Sequence, residues 1–248
     1  MFKPGAFLSL LVCGLFLQAA PLSAHHHHNH DDEAVLNPYP IGGQVDLTRL
    51  LAPPPAPDSA QTKMEIDELL KIQASRTDAQ AAAAIADHDY SVFRFADVMG
   101  PAFNPGNLPL TAAFFARVID TGKSIVEPAK AFWNRERPFT VDSRIMPVMK
   151  DAKSPSYPSG HSTAGNLMAI VLANMVPEKS PAIFARGWIF AQNRLIAGEH
   201  FPSDIQAGRI SAAVIASHLF ENEEFRADFV AARLELRKAL GYPTDAGR

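Results

Sequence analysis

Along most of this chain, apolar residues recur with the period of a helix, and no run alternates as a half-buried strand would. From Ser59 onward, Ile66, Leu69, Leu70 and Gln73 fall at i, i+3, i+4 and i+7. The run DAQAAAAIADH that follows is built on the strongest helix former. Leu110, Phe114, Phe115, Val118 and Ile119 define a further apolar face, in a segment extending toward Trp133 with Pro128 as a kink or restart. Leu167, Met168, Val171, Leu172 and Met175 form another that stops before Pro177. Phe184, Trp188, Ala191 and Leu195 follow from near Pro181, then Ile210, Val214 and Leu219, then Phe225, Phe229, Leu236 and Leu240. The pattern predicts an all-α fold, a single helical-bundle domain of about seven core helices over residues 59–248.

Two stretches ahead of that domain break the pattern. Lys3 followed by AFLSLLVCGLFLQAA and PLSA reads as a secretory signal peptide over residues 1–24, with cleavage expected after Ala24. Residues 25–58 read as irregular, His-rich at HHHHNHDDE and Pro-rich at APPPAPDS. Neutral imidazoles can bind Zn, Cu or Ni, so a periplasmic metal-binding protein is an alternative of a different class. A flexible His run fixes no geometry, however, and the plainer reading is a solvated terminus.

Composition narrows the picture. With 47% hydrophobic residues in 248, there is material for one domain with a real core. The only cysteine, Cys13, lies in the signal, so the mature chain is expected to hold no disulfide. The net charge of −3, which becomes −4 when Lys3 leaves with the signal, argues against a nucleic-acid partner. Past residue 24 no apolar run approaches the roughly 20 residues of a membrane helix, so no stable membrane insertion of the mature chain is expected.

Three short stretches carry candidate chemistry. In SYPSGHSTAGN, the turn Pro158-Ser159-Gly160 leads into a helix, aiming free backbone N–H groups at one point that suits an anion, with His161 beside it to exchange a proton. Taken alone it is equally a plain turn with an incidental histidine. In KAFWNRERPF, Lys130 and Arg137 are seven apart, about two helical turns, and are expected on one face. Arg135 between them reads as a solvated surface charge. In NRLIAGEHFPSD, Arg194 adds a second guanidinium, and Asp204 stands four residues after His200 with Pro202 suited to a first helical position. Two arginines and a lysine meeting at one point would hold a doubly charged anion. Asp204 would fix the tautomer of His200 and leave its other nitrogen as base or nucleophile, or would simply stabilise a helix N-terminus. His88 and His218 have no ligand-spaced partners and read as structural.

Taken together, these ten positions in this order and spacing resemble the superfamily of type 2 phosphatidic acid phosphatases, bacterial class A acid phosphatases and vanadium haloperoxidases. Its pattern is Lys-x6-Arg-Pro, Pro-Ser-Gly-His and Ser-Arg-x5-His-x3-Asp, and one position departs, Asn193 standing for the serine. The likeness runs from LLAPPPAPDS to ELRKAL and is greatest to the small, secreted, all-helical class A nonspecific acid phosphatases, which often carry a disulfide that this chain cannot form. The resemblance implies a metal-independent acid phosphatase without cofactor, acting on small phosphomonoesters in the periplasm or outside the cell. His200 would be the nucleophile, His161 the acid and base, and Asp204 the orienting carboxylate. Lys130, Arg137, Ser159, Gly160 and Arg194 would hold the phosphoryl oxygens. A lipid phosphatase is the nearest alternative, a vanadium-dependent haloperoxidase a more distant one, and homo-oligomerisation stays open.

Overall fold

The computed structural model describes residues 37–149 and 152–244. The expected signal peptide at 1–24 and the His-rich run at 25–33 lie outside the described residues.

Helices start where the local sequence can satisfy their first N–H groups. Asp46 accepts from Thr48 N to open α1 (Leu47–Leu50), and Ser59 from Thr62 N to open α2 (Ala60–Ser75). Thr77 and Gln80 form a reciprocal capping box at α3 (Asp78–Ala86). After the short α4 (Ala96–Met99), α5 (Pro109–Trp133) and α6 (Pro138–Val141) each begin on a proline, whose missing N–H is one the helix would not use there. Ser159 caps α7 (Gly160–Met175), and α8 (Ser180–Ile196) follows closely. Then α9 (Pro202–Glu221) again opens on proline, and Asn222 caps α10 (Glu223–Ala239). Seven of these, α2, α3, α5, α7, α8, α9 and α10, have nine or more residues, and the described residues contain no strand. The all-α expectation and its helix number are met, and α5 runs continuously through Pro128.

Helix α7 is the centre of the bundle, with α8, α9 and α5 packed around it. Leu167, Met168, Val171, Leu172 and Met175 are fully buried there, each side chain contributing roughly 1.5–3 kcal/mol of transfer free energy. The neighbours come close because small residues face each other: a Cβ on Gly208 of α9 would lie 2.6 Å from the Ser159 carbonyl oxygen, and one on Gly187 of α8 would lie 2.6 Å from the Cβ of Ala169. A second apolar cluster joins Ile66 and Leu69 of α2 to Ala191, Leu195, Phe201 and Ile205, under the turn between α8 and α9.

Some expected core positions are exposed. Leu110, Phe184 and Ile210 are each about half accessible (55%, 49% and 50%). Of the expected α8 face, Ala191 and Leu195 are buried and Trp188 packs partly buried against the second cluster, while Phe184 points outward. The inward side of α8 also carries Ile183, Gly187 and Phe190, and the polar Arg186, Asn193 and Arg194, which have partners inside the protein. In the segment before α2, Tyr39, Ile41, Val45, Leu47 and Leu51 belong to the main core.

Candidate active site

The turn before α7, the loop after α5 and the turn between α8 and α9 meet at one place. Backbone hydrogen bonds join them: Ser156 N donates to Arg135 O (2.8 Å), and Ser159 N donates to Asp204 O (3.1 Å). A cavity of about 190 Å³ lies there, walled by Lys130, Arg137, Gly160, His161, Glu199 and His200, with His88, Tyr90 and Ser154 also on its lining.

Lys130 and Arg137 reach it by a route other than the one expected. They do not share a helix face, because α5 stops at Trp133 and Asn134 takes a left-handed conformation (φ 44°) that turns the chain back. Arg137 then stands at the N-cap of α6. Lys130 Nζ donates to the Pro155 carbonyl (2.6 Å) and to Ser154 Oγ (3.1 Å), and Arg137 Nε donates to Ser154 O (2.9 Å). Burial, aided by the charge of Arg137, brings the Lys130 ammonium down to about 8. Burial also lowers Arg137 from its ordinary value, against the pull of Glu199 and Asp204.

His200 follows Gly198, whose φ of 73° suits glycine, in the turn between α8 and α9. Its Nε2 lies 3.0 Å from Arg137 Nη1. A guanidinium only donates, so Nε2 carries the lone pair and the ring proton sits on Nδ1. Asp204 does not take that proton in a short direct bond, its Oδ2 lying 3.4 Å from Nδ1. Ser156 Oγ stands between them, 3.3 Å from Nδ1 while donating to Asp204 Oδ2 at 2.6 Å. Burial first, then Arg137, Lys130 and Arg194, hold His200 well below the ordinary histidine value.

His161, in the first turn of α7, has the opposite tautomer. Its Nε2 lies 3.0 Å from the His88 carbonyl, which can only accept, so Tyr90 Oη donates to Nδ1 at 3.0 Å. Burial and then Arg194 push His161 well below its ordinary value. Tyr90 is pushed up by burial, so its phenol keeps the proton. Gly160 leaves room for Tyr90, whose Oη would be 3.2 Å from a Cβ at that position.

Two expected phosphate contacts stand behind the cavity wall. Ser159 Oγ is fully buried and accepts from Ser162 N as the helix cap. Arg194 is fully buried, donates to Ala84 O (2.8 Å), and has Nη1 3.5 Å from His88 Nδ1. Asp204 lies behind His200 with no solvent exposure.

Two readings need correction. Arg135 is not a solvated surface charge: its side chain is 8% exposed and lies between two buried carboxylates, 2.6 Å from Asp204 Oδ1 and 3.0 Å from Glu65 Oε2, with the guanidinium stacked 3.9 Å over Phe201. Glu65 comes from α2, far away in sequence, which is why the local stretch could not reveal the pairing. His88 is not outside the site, because it lines the cavity and stacks on His161 at 5.2 Å. His218 sits in the last turn of α9 and is not among the cavity's lining residues.

The departure at Asn193 also finds a place. Asn193 Nδ2 donates to Asp87 Oδ2 (2.8 Å), and Asp87 receives Arg186 through two further bonds (2.9 and 2.6 Å) and Arg94 through one (3.1 Å). This buried network holds the end of α3, and with it the His88–Tyr90 turn against His161. Sequence reading also missed Ser156, Tyr90 and Glu199. None stands in a motif whose residue type announces the role.

Residues 110–226, which carry all three motifs, match the PAP2 superfamily. An acid phosphatase of Zymomonas mobilis is 34% identical over 197 residues, which cover 76% of this chain and 75% of that protein. A non-specific acid phosphatase of Salmonella typhimurium is 32% identical over 195 residues, covering 75% of this chain and 78% of the relative. The chain belongs to the acid phosphatases of the PAP2 superfamily. Among solved structures, a bacterial vanadium-dependent iodoperoxidase shares its fold at a TM-score of 0.50 and 20% identity, over 69% of this chain. The chain spans about half the length of that peroxidase (52%), and identity this low speaks for the fold alone. Within the acid phosphatase, no described helix is long and apolar enough to cross a membrane.

Proposed function

We propose that the enzyme hydrolyses small phosphomonoesters through a phosphohistidine on His200, without a metal, after export to the periplasm or beyond and removal of residues 1–24. The observation that carries the mechanism is the state of His200. Its Nε2 lone pair points to Arg137 at the cavity wall while Nδ1 is anchored by Ser156 and Asp204.

Arg137 and Lys130 hold the phosphoryl oxygens at the wall, and Arg194 adds its charge from behind. His200 Nε2 attacks phosphorus as the ester P–O bond breaks, and the leaving oxygen takes a proton from His161. His161, now neutral, takes a proton from water, whose oxygen attacks the phosphohistidine and releases phosphate. Asp204 stabilises the His200 ring as it gains positive charge, and Arg135 holds Asp204 in place. In this reading side-chain cations do the work a metal would do. A cavity of about 190 Å³ suits a phosphoryl group with a small leaving group.

The pH dependence follows from the buried charges. His200 must be neutral to attack, and its lowered pKa keeps it so well below 6.5. Lys130 must be charged, and loses its proton as pH passes about 8. His161 must be protonated, which its surroundings oppose until the phosphoryl dianion arrives and favours the imidazolium. The expected kcat/KM profile is a bell with an acidic optimum, unchanged by EDTA. Turnover of sugar phosphates, nucleotides, phytate and dispersed lipid phosphates, measured across pH with and without chelator, checks this. Loss with EDTA and return with a divalent ion would contradict it. Exclusive use of lipid phosphates would favour a lipid phosphatase, and bromide oxidation with vanadate and peroxide would favour a haloperoxidase.

A further inference from the structure

Glu199 is a carboxylate within ion-pair range of two arginines of the phosphoryl cradle. It lines the cavity and is 1% exposed. Its Oε2 lies 3.8 Å from Arg194 Nη1 and 3.9 Å from Arg137 Nη1. Those distances are within ion-pair range but too long for hydrogen bonds, so the Glu199 carboxylate balances the guanidinium charge without taking a hydrogen bond from either, while Arg137 Nη1 donates to the Glu199 backbone carbonyl at 3.0 Å. Its Oε1 is buried and has no hydrogen-bond partner. A negative group touching both arginines, with an unused oxygen at the cavity wall, occupies the electrostatic position that the phosphoryl group needs.

We propose that Glu199 is a resident stand-in for the phosphoryl group, so that binding of a phosphoryl dianion is coupled to uptake of one proton by this carboxyl. Ionised, it holds Arg137 and Arg194 and repels an incoming dianion. Protonated from solvent, it releases the guanidiniums and offers an O–H to a phosphoryl oxygen. The inference rests on the cavity being the phosphoryl site.

Other titratable groups face the same space. Lys130 lies on the α5 side with Glu127, and Lys153 lies in the loop before α7. His88 and Tyr90 come from the turn after α3, His161 from α7 and His200 from the same turn as Glu199. A pH effect must therefore be assigned by difference. Glu199→Gln keeps the shape and removes only the ionisation.

Sulfate is a suitable probe, because it remains a dianion over the whole working range. Its own titration then adds nothing. Calorimetric titration of the full chain in buffers of different ionisation enthalpy counts protons taken up. The wild type is expected to take up more than one proton per sulfate near neutral pH, one on Glu199 and the rest on His161, with binding that weakens as pH rises. Glu199→Gln is expected to take up about one proton fewer, to bind sulfate about tenfold or more tighter near neutral pH, and to lose the corresponding part of the pH slope. In turnover, KM for a phosphomonoester should fall in the variant most at high pH, with kcat changing far less. Glu199→Ala should lose the same part of the slope, which guards against a folding defect peculiar to one variant. The proposal is overturned if the wild type takes up no proton, if the variants keep the full uptake and slope, or if they bind sulfate more weakly at every pH. Sulfate that binds without competing with substrate would instead overturn the assignment of the cavity, and the proposal with it.

Discussion

Replacing His200 with alanine is expected to abolish turnover of every phosphomonoester, whatever its leaving group. The reason is covalent: without the Nε2 lone pair that faces Arg137 at 3.0 Å, the first bond to phosphorus cannot form. His161→Ala should behave differently. It removes the proton for the leaving oxygen, which an alkyl phosphate needs and a dinitrophenyl phosphate does not. The alkyl ester should lose on the order of 10²–10⁴-fold, and the activated ester far less in its first step. Steady-state and single-turnover rates for both variants on both substrates check this. A His200→Ala enzyme rescued by the better leaving group would reverse the roles.

The arginines provide the second large effect, and they divide by position. Arg137→Ala should lower kcat/KM by about 10²–10³-fold, Arg194→Ala, which acts by its charge from behind the wall, should lower it less, and vanadate inhibition should weaken in parallel. Arg135→Ala acts elsewhere. It leaves Glu65 and Asp204 buried without their shared guanidinium, a loss of about 3–5 kcal/mol in stability. It should lower the melting temperature and kcat while changing the vanadate inhibition constant by only a few-fold. Kinetics with a vanadate titration and a melting curve for each variant separate the classes. Equal weakening of vanadate by all three would contradict the assignment of Arg135 to Asp204 rather than to the phosphoryl group.

How far the sequence carried differs between the fold and the site. The helices were legible because their apolar periods are long, as from Leu167 to Met175 in α7. The three motifs were legible because each holds reactive residues at short fixed spacing. What was hidden depends on contacts between distant segments. Arg135 meets Glu65 from α2, Tyr90 meets His161 from the turn after α3, and Asn193 meets Asp87 across the bundle. The outward-facing Leu110, Phe184 and Ile210 could not be told from core residues by period alone. The small residues that mark the true contact side, Gly187 and Gly208, carry no hydrophobic signal. Glu199 was passed over because a glutamate in a turn is ordinarily solvated.

The central claim is that the phosphoryl group passes through His200, and covalent trapping tests it most directly. The wild type and His161→Ala, mixed with dinitrophenyl phosphate and quenched within a turnover, should yield a phosphoenzyme stable to base and labile to acid. It should accumulate more in His161→Ala, which also lacks the base that activates water. Peptide mapping of the trapped chain should place the phosphate on His200. Phosphate found on His161, or an acid-stable phosphoester on a serine such as Ser156 or Ser159, would contradict the account.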